Sequence, residues 1–93
     1  MRILRSVGEL RAFRSLLDQK KSLGFVPTMG ALHEGHAELV QQSAKNNDVS
    51  LVSIFVNPTQ FSSRKDLESY PEDHDGDIEL AKQQGAELVF FPS

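Results

Sequence analysis

Two histidines stand three positions apart in the stretch VPTMGALHEGH, which covers residues 26–36. Gly30 and Gly35 accompany them, and glycine permits tight turns and a close approach of the backbone to a ligand. The pattern places a helix start here, and a helix N-terminus presents free N–H groups and a partial positive charge of about 0.5. The stretch therefore predicts an anion site at which His33 and His36 donate N–H groups as neutral rings.

Two other interpretations of these histidines stay open on the residues alone. The pair could cap the helix or satisfy buried carbonyl groups, which would be a purely structural role. HEGH also resembles the zinc-binding pattern H-E-x-x-H, but its histidines are i and i+3 instead of i and i+4. The nearest further ligand cluster, Asp73, His74 and Asp75, belongs to a different helix start. Neither a G-x-G-x-x-G fingerprint nor a Walker loop is present.

Alternating helical and extended patterns surround the histidine stretch. Three helices are predicted, over residues 7–20 behind a Ser6–Glu9 capping-box spacing, over 34–46, and from Pro71 to Gly85. Four strands are predicted, from MRIL at the start, FVP at 25–27, VSLVSIFV at 49–56 and ELVFFP at 87–92. Strands that alternate with helices form βαβ units, so the fold class is α/β, a Rossmann-like parallel sheet with alternating helices.

The expected sheet places the histidine stretch where a parallel strand ends and a helix begins, which is where open α/β sheets bind ligands. Gln60 follows the next strand, so its amide is expected to reach the same crevice, with a solvated loop position as the alternative. Asn57 is expected to fix the turn before Pro58. Phe61 is either a wall of the pocket or an ordinary core aromatic.

Composition limits the class of protein. With 93 residues, 39% hydrophobic and 25% charged, the chain is expected to form one globular domain. A net charge of -3 argues against a nucleic-acid partner, and no apolar stretch is long enough for a membrane span. The absence of cysteine excludes thiolate metal sites and favours the cytoplasm. The basic run at 1–21 and the acidic run at 66–79 are predicted to be solvated helix faces, with a polar dimer or domain contact as the alternative.

Four motifs carry a resemblance to a known family. PTMGALHEGH resembles the HxGH variant of the H-I-G-H signature of the nucleotidyltransferase superfamily. SIFVNPTQF, DLESYP and ELVFFPS narrow the resemblance to the pantothenate synthetase (pantoate–β-alanine ligase) family. The resemblance covers essentially the whole chain, but the family's proteins are much longer. Residues 1–93 would then be the N-terminal part of the nucleotide-binding domain, a partial nucleotidyltransferase domain, with the remainder of the family's chain absent.

The resemblance implies a function and a set of site residues. The family ligates pantoate and β-alanine through a pantoyl-adenylate intermediate, using ATP and Mg²⁺, and forms homodimers. By resemblance His36 is the catalytic donor, His33 assists at the phosphates, and Gln60 holds pantoate near the incoming β-alanine; no residue is assigned to a metal. The implied ATP-binding residues are Met29, Gly30, Ala31, Leu32, His33, Glu34, Gly35 and His36. The alternatives are another HxGH-type nucleotidyltransferase and a non-catalytic nucleotide-binding module.

One position departs from the family's pattern. After the dipeptide YP the family commonly has an arginine, and here Glu72 stands in its place. No phosphate or dimer contact is therefore carried over to this helix start, and His74 is expected to be a surface residue. The resemblance also implies that part of the cationic clamp around ATP comes from a lysine-containing segment beyond Ser93.

Overall fold

The computed structural model describes residues 1–70 and 72–92. Its strands are β1 (Arg2–Leu4), β2 (Leu23–Thr28), β3 (Val49–Ile54) and β4 (Leu88–Phe90). Its α-helices are α1 (Val7–Leu16), α2 (Glu34–Asn46), α3 (Arg64–Glu68) and α4 (His74–Gln83), and a 3₁₀ helix covers Pro58–Gln60. Pro71, predicted to open the third helix, and Ser93 lie outside the described residues. No helix among the described residues has both the length and the apolar character needed to cross a membrane.

The strands form one four-stranded parallel sheet in the order β1-β4-β3-β2. This confirms the predicted α/β class with helices alternating between parallel strands. β3 lies between β4 and β2, and all six of its residues are buried, as predicted for a strand covered on both faces. Its Ser50 is accommodated because the hydroxyl pairs with that of Ser43 on α2 at 2.9 Å.

The predicted end of the second strand at Pro27 is wrong by one residue. β2 pairs with β3 from Leu23 to Thr28, and the Phe55 N–H donates to the Thr28 carbonyl at 3.0 Å. Successive residues of a parallel strand direct their N–H and C=O groups to opposite sides, so Pro27 faces away from β3. Since β2 is an edge strand, no donor is required there.

Two apolar layers cover the two faces of the sheet. On the side of α2 and α4 the fully buried residues include Val40, Val52 and Val89. On the side of α1 the buried side chains are Leu4, Val49, Leu51 and Leu88. α1 covers only part of this second face of the sheet. Phe25 there is 57% exposed and Phe55 is 52% exposed.

The helices follow the predicted pattern except at three places. α2 has the predicted bounds, but α1 ends at Leu16 instead of residue 20, because the Asp18 carboxylate accepts from the Lys20 N–H at 2.9 Å and forms a turn there. The third predicted helix begins only at His74, with Asp73 as its N-cap. Sequence patterns missed α3 and the 3₁₀ helix, two short elements that Ser63 and Asn57 cap.

Candidate functional site

The histidine stretch connects β2 to α2 at the carboxyl edge of the sheet, as predicted. His33 is the N-cap of α2, and its Nδ1 accepts from the Gly35 N–H at 3.0 Å. The His36 Nδ1 accepts from the His33 N–H at 3.1 Å, which completes a capping box made of two imidazoles. The two ring centroids are 4.2 Å apart.

This arrangement shows that the capping role, one of the open interpretations, applies to one nitrogen of each ring. A nitrogen that accepts a hydrogen bond carries no proton, so each ring in its neutral form carries the proton on Nε2. The cap therefore fixes the tautomer and leaves an Nε2–H on each ring free of the helix. Capping and donation to a ligand are compatible at this site.

The pKa of His36 is lowered from its ordinary value of 6.5, first by burial and second by the charge of His33, while Asp77 raises it. Protonation would also remove the Nδ1 acceptor that caps α2. His36 is thus a neutral donor near pH 7, which agrees with the chemistry predicted for an imidazole at a helix N-terminus.

The stability of the chain should depend on pH through His36. Because the unfolded chain binds this proton more readily, the free energy of unfolding is expected to be greatest above pH 6.5. It should fall as the pH drops from 6.5 through the lowered pKa. Denaturant unfolding between about pH 5 and 8 measures this dependence. His36→Gln should remove that component of the curve, and an unchanged pH dependence in this variant would contradict the assignment.

Asp77 is a site residue that the sequence interpretation missed. It is only 3% exposed, and its two oxygens accept from the Ala31 and Leu32 N–H groups at 3.0 and 2.8 Å. The acidic run at 66–79 was predicted to be a solvated helix face. That prediction is wrong for Asp77, because α4 directs its side chain toward the β2–α2 loop. The available signal was its i, i+4 spacing to Ala81, which places both on the inward stripe of α4.

The backbone donors of the loop are largely occupied. Besides Ala31 and Leu32, the Gly30 N–H donates to the Thr28 hydroxyl at 3.1 Å, while Gly35 and His33 donate to the histidine rings. The sequence predicted free N–H groups at this turn, but internal acceptors take most of them. The ring Nε2–H groups are the donors that the cap leaves available, and of the two rings only that of His36 borders a cavity among the described residues.

A cavity of about 540 Å³ joins two of the predicted site residues. His36 and Gln60 both border it, together with Asn57 and Tyr70 from the segment after β3. Gln60 reaches this position because the Asn57 side chain accepts from the Thr59 N–H at 3.0 Å and starts the 3₁₀ helix, as predicted for Asn57. The structure thus brings the imidazole and the amide to one space.

A second cavity of about 250 Å³ adjoins the other side of the loop. Met29 and Gly30 border both cavities, and Ala31 borders the smaller one with Glu72, His74 and Asp77. Four of the predicted ATP-binding residues border neither cavity: Leu32, His33, Glu34 and Gly35. The predicted loop residues are therefore divided between cavity walls and supporting backbone.

The aromatic residues around the site have mainly packing roles. Phe61 packs edge-on against Tyr70 at 5.4 Å, and the Tyr70 hydroxyl donates to the Gly30 carbonyl at 3.4 Å. Phe61 is thus a support behind the larger cavity. His74 is exposed, as predicted, and lies against Phe91 with ring centroids 4.3 Å apart.

No cluster of three potential metal ligands occurs within residues 1–70 and 72–92. Both oxygens of the buried Asp77 are engaged by backbone N–H groups. Mg²⁺ usually binds one or two protein carboxylates together with the phosphates of a nucleotide. The described residues accordingly show no magnesium cage built from three or more protein ligands.

The chain matches a family model described as pantoate-beta-alanine ligase over residues 2–93. This chain belongs to the pantoate–β-alanine ligase family. Among its relatives, the pantothenate synthetase of Bdellovibrio bacteriovorus is 52% identical over 90 residues, which cover 97% of this chain and 35% of that protein. The pantothenate synthetase of Campylobacter fetus subsp. fetus is 53% identical over 93 residues, which cover 100% of this chain and 33% of that protein. The chain spans about a third of the length of these relatives.

Solved structures of ligases in this family share the fold. The pantoate-β-alanine ligase of Francisella tularensis, solved with β-γ ATP and β-alanine, superposes with a TM-score of 0.94 at 41% identity. It is matched over 100% of this chain and 36% of its own. The enzyme of Thermus thermophilus gives a TM-score of 0.88 at 43% identity, over 100% of this chain and 32% of its own. The resemblance found in the sequence motifs is thereby confirmed at the level of the family.

Proposed function

We propose that this chain is the N-terminal part of the nucleotide-binding domain of an enzyme that ligates pantoate and β-alanine to pantothenate at the expense of ATP. The observation that carries the proposal is the shared cavity bordered by His36 and Gln60. Family membership supports the activity, and the Francisella tularensis relative was solved with β-γ ATP and β-alanine.

The proposed reaction has two steps. The pantoate carboxylate attacks the α-phosphorus of ATP and pyrophosphate leaves, which forms pantoyl adenylate. The β-alanine amine then attacks the acyl carbon, AMP leaves, and the amine gives up a proton as the amide forms. No protein nucleophile is required, so the protein aligns the reactants and stabilises charge on phosphate oxygens.

Each predicted residue has a part in these steps. His36 donates its Nε2–H to a phosphate oxygen as charge develops, and His33 assists at the phosphates. Met29, Gly30 and Ala31 form the wall that meets the nucleotide, and residues Leu32 to Gly35 hold the start of α2. Gln60 binds pantoate through its amide, which can donate and accept. Mg²⁺ is expected to arrive with the triphosphate and offset its charge.

The setting of the intact enzyme is also part of the proposal. We expect a cytoplasmic homodimer that binds small molecules and no nucleic acid. The family resemblance supports the dimer. The net charge of -3 supports the expectation of no nucleic-acid partner, and the absence of cysteine supports the cytoplasm.

A full-length chimera tests the proposed activity. In it, residues 1–93 replace the matching segment of the Bdellovibrio bacteriovorus relative. Pyrophosphate release that requires both ATP and pantoate, followed by pantothenate formation on adding β-alanine, is the expected result. A nucleotide-binding module would bind ATP without turnover. Another nucleotidyltransferase would release pyrophosphate with a different acceptor and not with pantoate.

Replacing Gln60 should affect pantoate and not ATP. In the chimera, Gln60→Ala is expected to lower kcat/KM for pantoate by about tenfold, the effect of losing one or two hydrogen bonds. The KM for ATP should change little, because the amide is assigned to the hydroxy acid. Steady-state pyrophosphate release with each substrate varied in turn measures both constants. Gln83→Ala is the matched control, since that glutamine is exposed on α4 and its side chain donates to Glu79 on the same helix. Equal losses for both substrates would contradict the assignment.

A further inference from the structure

Asp77 is a buried carboxylate to which the proposed reaction assigns no role. It lies in the first turn of α4, 3% exposed, and borders the smaller cavity. Burying a carboxylate is unfavourable unless its charge is compensated. Among residues 1–70 and 72–92, no lysine or arginine forms a salt bridge with it. Its compensation comes from two backbone donors of a loop that is 45 and 46 positions away in the chain.

The pair of hydrogen bonds uses both oxygens of the Asp77 side chain as acceptors. The Ala31 N–H donates to one oxygen at 3.0 Å and the Leu32 N–H donates to the other at 2.8 Å. A carboxylate accepts at both oxygens, and bonds to a charged acceptor are stronger than neutral ones. An asparagine of the same shape offers only one acceptor, and its NH₂ group would face the second N–H. The loop is therefore matched to Asp and not to its amide.

The loop segment that Asp77 holds includes one non-glycine residue, Ala31, in an uncommon backbone conformation. Gly30 has φ +84°, which glycine adopts readily, whereas Ala31 has φ +52°, in the left-handed region that residues other than glycine rarely adopt. A Cβ at Gly30 would lie 3.1 Å from the Asp77 carboxylate, so the glycine also permits the close approach. Strained segments of this kind persist only where surrounding contacts fix them.

The opposite side of the same segment is fixed to the sheet. The Gly30 N–H donates to the Thr28 hydroxyl, which donates to the Ser53 carbonyl on β3 at 2.9 Å. The segment 30–32 is thus held between β3 and α4, and α2 begins immediately after it with His33 as N-cap. The position of the His36 ring relative to the Gln60 cavity depends on this short connection.

We propose that Asp77 is a positioning residue of the ligation site: by binding the Ala31 and Leu32 N–H groups it fixes the loop that orients His36 toward the cavity shared with Gln60. This inference rests on the proposed function for its consequence in catalysis. A second effect is electrostatic, because the negative charge of Asp77 opposes the lowering of the His36 pKa by burial and by His33.

The kinetic test uses the full-length chimera with Asp77→Asn. The expected result is a fall in kcat for pantoate-dependent pyrophosphate release of about 10- to 100-fold, the cost of a misplaced catalytic group. KM values should change much less. Ala81→Gly is the matched control, because Ala81 is buried one turn further along α4 and makes no side-chain hydrogen bond to the loop. This control should lower the melting temperature and leave kcat unchanged when assayed well below the transition.

Asp77→Glu is a second variant in case the amide does not fold. It retains the charge but adds a methylene, so both bonds cannot persist without a shift of loop or helix, and kcat should again fall. A kcat within twofold of the unsubstituted chimera for either folded variant, or a fall no larger than that of Ala81→Gly, would overturn the proposal.

Hydrogen exchange followed by mass spectrometry separates this inference from the proposed function. Asp77→Asn should accelerate exchange in peptides covering residues 30–36, and Ala81→Gly should not do so selectively. If the unsubstituted chimera releases no pantoate-dependent pyrophosphate, the proposed function fails, and the exchange experiment still decides whether Asp77 fixes the loop. Unchanged exchange in the folded Asp77→Asn variant refutes the positioning role even when the enzyme is active.

Discussion

His36→Ala in the full-length chimera should slow formation of pantoyl adenylate by about 10²- to 10³-fold, the usual cost of removing one preorganised donor to a developing charge. The His36 Nδ1 accepts from the His33 N–H, so the Nε2–H is the group left to face the phosphates. Single-turnover release of pyrophosphate with ATP and pantoate measures this step. The loss should appear in the chemical step more than in the KM for either substrate.

His36→Gln separates catalysis from capping. Glutamine at the third helical position can still accept from the N-cap N–H, as in an ordinary capping box, but it has no imidazole donor. The alanine variant should lose about 1 kcal/mol of stability with the cap, and the glutamine variant should not. Both should lose adenylation activity. A glutamine variant with full activity, or an alanine variant that is destabilised but fully active, would show that His36 only caps the helix.

The isolated 93-residue chain should fold and yet catalyse nothing. Phosphoryl transfer from ATP requires positive charge around the triphosphate, normally from Lys, Arg and Mg²⁺ together. The described residues that border the two cavities include no lysine or arginine. Arg64, the basic residue that follows Gln60 most closely in sequence, pairs with Glu68 at 3.2 Å on α3, and its side chain is 90% exposed. The family resemblance implies that the missing cations follow residue 93.

Titration calorimetry with ATP and Mg²⁺ should therefore detect weak binding or none, and ATP, pantoate and β-alanine together should yield no pyrophosphate. Circular dichroism with a thermal transition must show that the chain is folded, and the active chimera is the positive control. Sedimentation should be included, because Phe25 and Phe55 are exposed and β1 and β2 are sheet edges that favour self-association. Robust turnover by the isolated chain would mean that residues 1–93 contain a complete site.

Local patterns in the sequence were sufficient for the main elements and for the family. The bounds of α2 follow from an apolar stripe that starts after two glycines, and the central position of β3 follows from a run that is apolar on both faces. Gly85, predicted as the end of the last helix, has φ +102° just beyond the cap of α4. These features depend on residues that are near one another in the chain, so they can be recognised without knowing the packing.

Tertiary structure decided which of these residues meet and what each one does. Seven acids occupy residues 66–79, and only the docking of α4 against the β2–α2 loop determines that Asp77 is buried and accepts two N–H groups. The same docking engages the Ala31 and Leu32 N–H groups with Asp77, whereas the sequence pattern predicted that N–H groups at this turn would be free to bind an anion. β2 continues through Pro27 because an edge strand needs no N–H donor on its outer side. The position of β2 at the sheet edge cannot be predicted from a local sequence pattern. The sequence by itself determined the main strands and helices, the family and the histidine pair, but not α3 or the 3₁₀ helix. The inward orientation of Asp77, the occupied loop donors and the cavity shared by His36 and Gln60 required the fold, because each depends on contacts between segments distant in the chain.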